Sequence, residues 1–363
     1  MDEFSCPCLK SELDFFKTIP TQLAIENTIP SILYPIATIT DQKSPIEFLI
    51  PGSGESLIDL SSISINVQLS ITKRNGTSTL DTDLVTPVNN LLHSMFSQCA
   101  VWFNEKQVSS HVNYAYKAII EALLFSSEEA QKTFLTSSFF YKDSAGFLNE
   151  TNPIKDAKNE GLIARFKKSS KSQVLDLNGR LHFDFINQPK LLINGIDVRI
   201  KLERSKDAFA LMATDNNYQI RLKNITLKVN KVEVSPSILI GMEKALENSD
   251  SILIPSTPYT PDFDEKSYAR SYATLFEEMG GIPYGKYANI SYSDYAQGYM
   301  FHVFDLTPDK AASENHTSIL TQGNISIDLK FKRSLPETVN IVCFLEYRNT
   351  IEIDRSRNIY VDF

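Results

Sequence analysis

Between Ile63 and Ile71 every second residue is a large aliphatic one: Ile63, Ile65, Val67, Leu69 and Ile71, with Ser64, Asn66, Gln68 and Ser70 between them. A period of two places all five apolar side chains on one face of a strand, where a helix would scatter them around its circumference. The run ends at Lys73-Arg74-Asn75-Gly76, and Asn-Gly is the dipeptide that closes a tight hairpin. A strand with one wet and one dry face needs a second layer to cover it, so the chain must build a sheet packed on another element.

The same signal recurs. Ile46, Phe48 and Ile50 alternate ahead of a Pro51-Gly52-Ser53-Gly54 turn, and further strands are predicted at Ala100–Val108, Arg180–Phe185 and Ile196–Leu202. From Tyr218 to Val234 the apolar positions read Ile220, Leu222, then Ile225, Leu227, Val229, then Val232, Val234. Two changes of phase in one run predict bulges. Strands at Tyr299–Phe304, Ile325–Phe331, Val339–Tyr347 and Ile351–Ile353 complete the set. Helices are few. Apolar spacing predicts one over Tyr114–Phe125, and Ser126-Ser127-Glu128-Glu129 caps a second that runs through Leu135. A third, from Pro236 to Glu247, reads as a connector.

Strands interrupted by occasional helices, with no strand–helix alternation, predict an all-β fold with minor helical insertions and argue against a Rossmann or barrel enzyme. Three parts follow: an N-terminal arm at 1–44, a first β unit at 45–235 with helical insertions, and a second at 236–363. The stretch from Lys155 to Ser172 holds Lys155, Lys158, Arg165, Lys167, Lys168 and Lys171 among few large apolar residues. It reads as a solvated insertion loop. The sharper alternative is a basic patch facing nucleic acid or an acidic partner.

Chemistry is harder to find. His93, His111, His182, His302 and His316 are scattered without a paired spacing, so the metal cluster of a cupin-type enzyme is not expected. No phosphate loop, dinucleotide fingerprint or nucleophile elbow occurs. Glu128-Glu129, Glu277-Glu278 and the Asp262/Asp264 pair suit caps and loops. Cys6 and Cys8 have no second pair to complete a zinc site, and with Cys99 and Cys343 they read as free thiols in a reducing compartment. No catalytic, cofactor-binding or metal residue is therefore assigned, and no cofactor. With 36 basic against 44 acidic residues, the net charge of -8 argues against broad phosphate binding, so weak or no nucleic-acid binding is expected. The longest uncharged stretch, Asn27 to Thr40, is too short to span a membrane, and no secretory signal opens the chain, so an intracellular soluble product is expected.

Several longer strings carry a resemblance. They include Lys10-Ser11-Glu12-Leu13-Asp14-Phe15-Phe16, Pro45-Ile46-Glu47-Phe48, Gly52-Ser53-Gly54-Glu55, Pro87-Val88-Asn89, Leu92-His93-Ser94 and Tyr141-Lys142-Asp143. Leu192-Ile193-Asn194-Gly195 and Arg204-Ser205-Lys206-Asp207-Ala208-Phe209 follow. Then come Tyr268-Ala269-Arg270, Gly298-Tyr299, Phe304-Asp305-Leu306-Thr307-Pro308, Leu335-Pro336-Glu337-Thr338-Val339-Asn340 and Ile351-Glu352-Ile353-Asp354-Arg355. In this order and spacing they resemble the major capsid proteins of Polinton/Maverick elements, in the lineage of adenovirus hexon and virophage capsid proteins.

The resemblance implies two tandem jelly-roll β-sandwiches (a double jelly roll), homotrimeric capsomers of pseudo-hexagonal outline, and an icosahedral shell around DNA. It also implies penton and minor capsid proteins as partners, synthesis in the host cytoplasm with assembly there or in the nucleus, and a place in the virion capsid. The second roll is shortened, because few residues separate the connector helix from Tyr268-Ala269-Arg270. The alternative is a jelly-roll receptor- or carbohydrate-binding module of a spike or fibre.

Overall fold

The computed structural model describes residues 24–37, 44–52, 54–186, 190–213, 215–237, 272, 275–276, 288–304, 338–345, 351–353 and 357–361. In chain order the strands are β1 (Ile25–Leu33), β2 (Ile46–Ile50), β3 (Leu57–Lys73), β4 (Val85–Pro87), β5 (Phe96–Phe103) and β6 (Lys106–His111). They continue as β7 (Leu175–Arg180), β8 (Val198–Arg204), β9 (Leu211–Ala213), β10 (Tyr218–Val234), β11 (Ile351–Ile353) and β12 (Ile359–Val361). The helices are α1 (Leu91–Ser94), α2 (Tyr114–Leu124), α3 (Glu128–Lys132), α4 (Glu160–Ser169), α5 (Asp207–Ala210) and α6 (Tyr292–Ala296).

The alternating run becomes the middle of β3, with Ile63, Ile65, Val67 and Leu69 fully buried and Ser64, Asn66 and Gln68 partly exposed. One sheet has the order β1-β10-β3-β7 and another β2-β8-β5-β6, and every pairing in them is antiparallel. The short β4–β9 ribbon stands apart. The eight strands of the two large sheets pair as nested partners: β1 with β10, β2 with β8, β3 with β7, and β5 with β6. A long hairpin wound on itself gives this order, which is the jelly roll. The inner faces share one core, with Ile65, Val67 and Leu227 from the first sheet meeting Phe48, Val101 and Ile200 from the second.

Both phase changes in the Tyr218–Val234 run coincide with register shifts against β3, between Leu222 and Asn224 and between Lys228 and Asn230. The first leaves Lys223 without a ladder partner and returns Ile225 to the inner face; at the second the extra residues are 60–63 of β3, and Val232 and Val234 beyond it pack with Leu57 in a small separate cluster. Pro30 is accommodated because β1 is an edge strand, where a missing N–H costs no ladder bond on the open side. The described part of the 1–44 arm thus contributes a strand to the first sandwich. Gly52 sits where a Cβ would lie 2.1 Å from the Ile196 carbonyl oxygen, so the turn after β2 admits no side chain there.

Several expectations are corrected. Ala100–Val108 is not one strand but parts of two, because Asn104 adopts a left-handed φ of 52° and turns β5 back as β6. Asn tolerates that region, and without a following Gly the turn signal was weak. The Arg180–Phe185 strand lies earlier, at Leu175–Arg180, where it pairs with β3; Leu181 and Phe183 are buried beyond the ladder. The helix begun at Ser127 stops at Lys132, and a 3-10 turn over Phe134–Ser138 follows. The loop read over 155–172 contains α4, capped by Asn159, whose side chain accepts from the Leu162 N–H. The segments 299–304 and 338–345 are described but are not strands. The Ile325–Phe331 strand and the connector helix beyond residue 237 lie outside the described residues.

Near the C-terminus β11 and β12 form a hairpin held to the roll by Arg357. Its Nε donates to the Asn194 carbonyl at 2.9 Å and its Nη2 to Asn194 Oδ1 at 3.1 Å. Truncating Ile65 to Ala at the centre of the sandwich is expected to cost about 2–5 kcal/mol. Ile32→Ala, at a side chain 63 % exposed on β1, should stay within about 0.5 kcal/mol. Urea denaturation curves of the two variants give the comparison directly.

Candidate functional site

The segment between β6 and β7 carries α2, α3 and α4 and leaves the end of the sandwich as a helical insertion. Two polar centres fix it in place. At the first, three of the five histidines converge, although they stand far apart in the chain. His93 on α1 is 2 % exposed, and its Nδ1 lies 2.9 Å from the hydroxyl of the buried Tyr114 on α2. The same hydroxyl accepts the backbone N–H of His182 at 3.2 Å, which leaves the phenol proton for His93 Nδ1. The His93 and His182 rings meet edge to face with centroids 4.5 Å apart. His182 Nδ1 donates in turn to Glu121 Oε2 at 2.5 Å.

Charges surround this pair. Lys117 Nζ reaches Glu121 Oε1 at 3.1 Å and Asp184 Oδ1 at 3.4 Å, and it sits 4.6 Å from the ring centroid of Phe344. Asp184 also accepts from Ser109 Oγ at 2.7 Å and contacts His111 Nε2 at 2.9 Å. Burial, with help from His182, holds His93 well below the usual imidazole range. For Glu121, burial pushes the carboxyl up, but the His182 hydrogen bond and Lys117 outweigh it and the net shift is down. Asp184 follows the same balance, with His111, Ser109 and Lys117 prevailing over burial. Burial pushes the nearby Cys99 thiol up to about 12, so it stays protonated.

Chemically this is a holding arrangement. Ser109 donates to a carboxylate whose proton affinity is far below neutral, so nothing there takes its proton at neutral pH. Among the described residues no group of three His, Cys, Asp or Glu side chains is placed to hold a metal. No described helix is long and apolar enough to cross a membrane.

The second centre lies under α4. Arg165 is 1 % exposed and spends its donors in three directions. Nε donates to the Pro87 carbonyl at 3.0 Å, Nη1 to the Tyr141 carbonyl at 2.9 Å and Nη2 to Asp143 Oδ1 at 2.8 Å. Next to it, Lys142 Nζ donates to the Asn289 carbonyl at 2.6 Å and to Asp294 Oδ2 at 2.8 Å, while the Tyr299 hydroxyl donates to the Asp143 carbonyl at 2.7 Å. An apolar cluster of Leu123, Leu124, Phe140, Ile290, Tyr295 and Tyr299 backs these bonds. The insertion therefore binds the segment 288–304 through one polar row and one apolar patch.

Sequence reading missed both centres. Histidine spacing carries no sign of convergence when the residues come from three different elements. Arg165 was counted with its exposed lysine neighbours, yet its spacing from Leu162 and Ser169 placed it on the buried side of a helix. Lys155, Lys158, Lys167, Lys168 and Lys171 are exposed as expected.

No protein-family model matches the chain. It is 20 % identical, over 436 aligned residues, to an uncharacterized protein of Caenorhabditis elegans, F54H12.2; the match covers 94 % of this chain and 99 % of that protein. Among solved structures it is similar to the PBCV-1 virus capsid in a quasi-atomic model, with a TM-score of 0.37, 11 % identity, and 68 % of this chain against 52 % of that one covered. The Sputnik virophage structure gives 0.37, 10 % identity and coverages of 64 % and 53 %. The mavirus major capsid protein gives 0.37, 11 % identity and coverages of 70 % and 56 %. The chain spans little more than half the length of these three structures.

Removing Arg165 leaves a partly buried carboxylate and two carbonyls without their buried donor, so Arg165→Ala should cost about 2–4 kcal/mol. Neutralising Lys155, Lys158, Lys167 and Lys171 to Gln should leave stability within about 0.5 kcal/mol each. Thermal melts of the two sets separate a helix anchored by arginine from a solvated loop.

Proposed function

We propose that this chain is a building block of a viral-type capsid, acting by assembly and not by turnover. The observation that carries the reading is the nested strand pairing of a jelly roll with a helical insertion between β6 and β7. The ordered strings shared with Polinton/Maverick capsid proteins support it.

The assembled unit is a homotrimer of pseudo-hexagonal outline that tiles an icosahedral shell in the virion, with penton and minor capsid proteins at its boundaries. Residues 236–363 form the second, shortened roll.

The edge of the first sheet favours assembly. Ile29, Ile32, Tyr34 and Ile36 are exposed by 41 %, 63 %, 69 % and 61 % on or just beyond β1, whose outer edge has no ladder partner among the described residues. An apolar, unprotected edge is a liability in a monomer and an asset in a subunit. Light scattering of the purified protein should give a trimer, and negative-stain images should show pseudo-hexagonal particles. Ile32→Asp should leave the fold intact and weaken the trimer. A wild-type protein that stays monomeric at milligram-per-millilitre concentration overturns the reading.

A further inference from the structure

We propose that His93 and His182 form an acid-sensitive latch that holds helix α2, and with it the helical insertion, against the end of the jelly roll. The geometry brings the His93 imidazole and the His182 backbone N–H to the Tyr114 hydroxyl, while the His182 ring turns to Glu121 and stacks edge to face on His93. His93 comes from α1, Tyr114 from α2, and His182 from the segment after β7, so three elements meet at one oxygen. None of the three is joined to another by ladder pairing at this point. The attachment of α2 to its neighbours on this side is the Tyr114 bridge, the Glu121–His182 bond and the Lys117 contacts.

The neighbourhood admits neutral imidazole and resists imidazolium. His93 has no carboxylate beside it: Glu121 is engaged by His182 and Lys117, and Asp184 by His111, Ser109 and Lys117. The other groups shown beside it are Tyr114 from α2 and Gly179 from β7, with the protonated Cys99 of β5 and Lys117 of α2 lying beyond, by Tyr114 and Asp184. Backbone closes the remaining side, since a Cβ added to Gly179 would stand 3.4 Å from His93 Nε2. A proton on His93 therefore enters a site without a counter-ion, 4.5 Å from a second imidazole, and its Nδ1 can no longer accept from Tyr114.

The direction with pH follows. A histidine whose folded pKa is depressed contributes fully above the unfolded value of about 6.5, and that contribution is lost as pH falls below it. Glu121 and Asp184 are also depressed, so their contributions are lost only below their ordinary values of 4.5 and 3.8. Between about pH 6.5 and 4.5, then, His93 is the group of this centre whose contribution is lost. The sandwich core is apolar and has no such dependence. Acid thus loosens α2 first, and α2 carries Leu123 and Leu124 of the patch that holds residues 288–304.

Hydrogen exchange on the full-length protein tests this, with rates corrected for intrinsic pH dependence. From pH 8 to pH 5 the amides of α2 should lose about tenfold or more in protection, the order expected for one depressed histidine, while those of β3 and β10 keep theirs. His93→Gln retains an acceptor for Tyr114 and cannot be protonated, and with His182→Gln it should hold α2 protection constant over the same range. Should that variant fail to fold, the wild-type imidazole proton resonances supply the second readout: protonation of His93 should coincide with opening of α2. Constant α2 protection in the wild type, or simultaneous loss in β3 and β10, overturns the latch. So does a double Gln variant that opens at the same pH as the wild type.

Discussion

The pairing of β10 with β3 is the constraint on which the rest of the structure depends. Each is 17 residues long, and they remain paired from Tyr218 opposite Lys73 to Val232 opposite Leu57. A slip of one residue would turn every apolar side chain of either strand to water. The bulge at Lys223 in β10 shows how strictly that is enforced, because the backbone accepts an interruption of the ladder to keep both Leu222 and Ile225 inside. Once this pair is fixed, β1 and β7 have one free flank each, and the nested connections place the second sheet opposite. The long connection between β6 and β7 then has nowhere to go but out from the end of the sandwich.

Legibility followed the period. The alternating runs gave β2 and β10 close to their true bounds and the C-terminal part of β3, which begins six residues earlier at Leu57, and even the interruptions of the β10–β3 ladder could be read, because a phase change in an apolar pattern has few other physical meanings. Helix α2 was equally plain from its apolar spacing. Strand ends set by turns without a strong dipeptide were not. Asn104-Glu105 divides a run that looks continuous, and Leu181 and Phe183 are buried like strand residues without belonging to a ladder. Burial was visible in those positions, while pairing was not.

The junctions of the insertion were invisible for a different reason. Strand patterning is a property of neighbours in sequence, whereas His93, Tyr114 and His182 are assembled by a topology that no local window contains. Polar residues carry no sign of whether they face water or one another, so Arg165 reads like Lys167 until a helix is built and its faces are distinguished. The strings Tyr141-Lys142-Asp143 and Leu92-His93-Ser94 marked the right places without saying what they do. In the structure Tyr141 and Asp143 accept from Arg165, Lys142 donates to Asp294, and His93 accepts from Tyr114.

The choice of polar contacts at these junctions has a physical consequence. Apolar residues of similar volume would serve stability as well, since a buried ion pair returns little beyond its own desolvation. What polar contacts add is direction and conditionality. Arg165 can satisfy its three donors in only one placement of α4, so orientation is fixed as well as proximity. The histidine centre adds dependence on protons, which an apolar contact lacks. The sandwich is held by contacts indifferent to pH and salt, while the insertion is held in part by contacts that respond to pH. That division of interactions separates a rigid jelly roll from an insertion whose grip can be released.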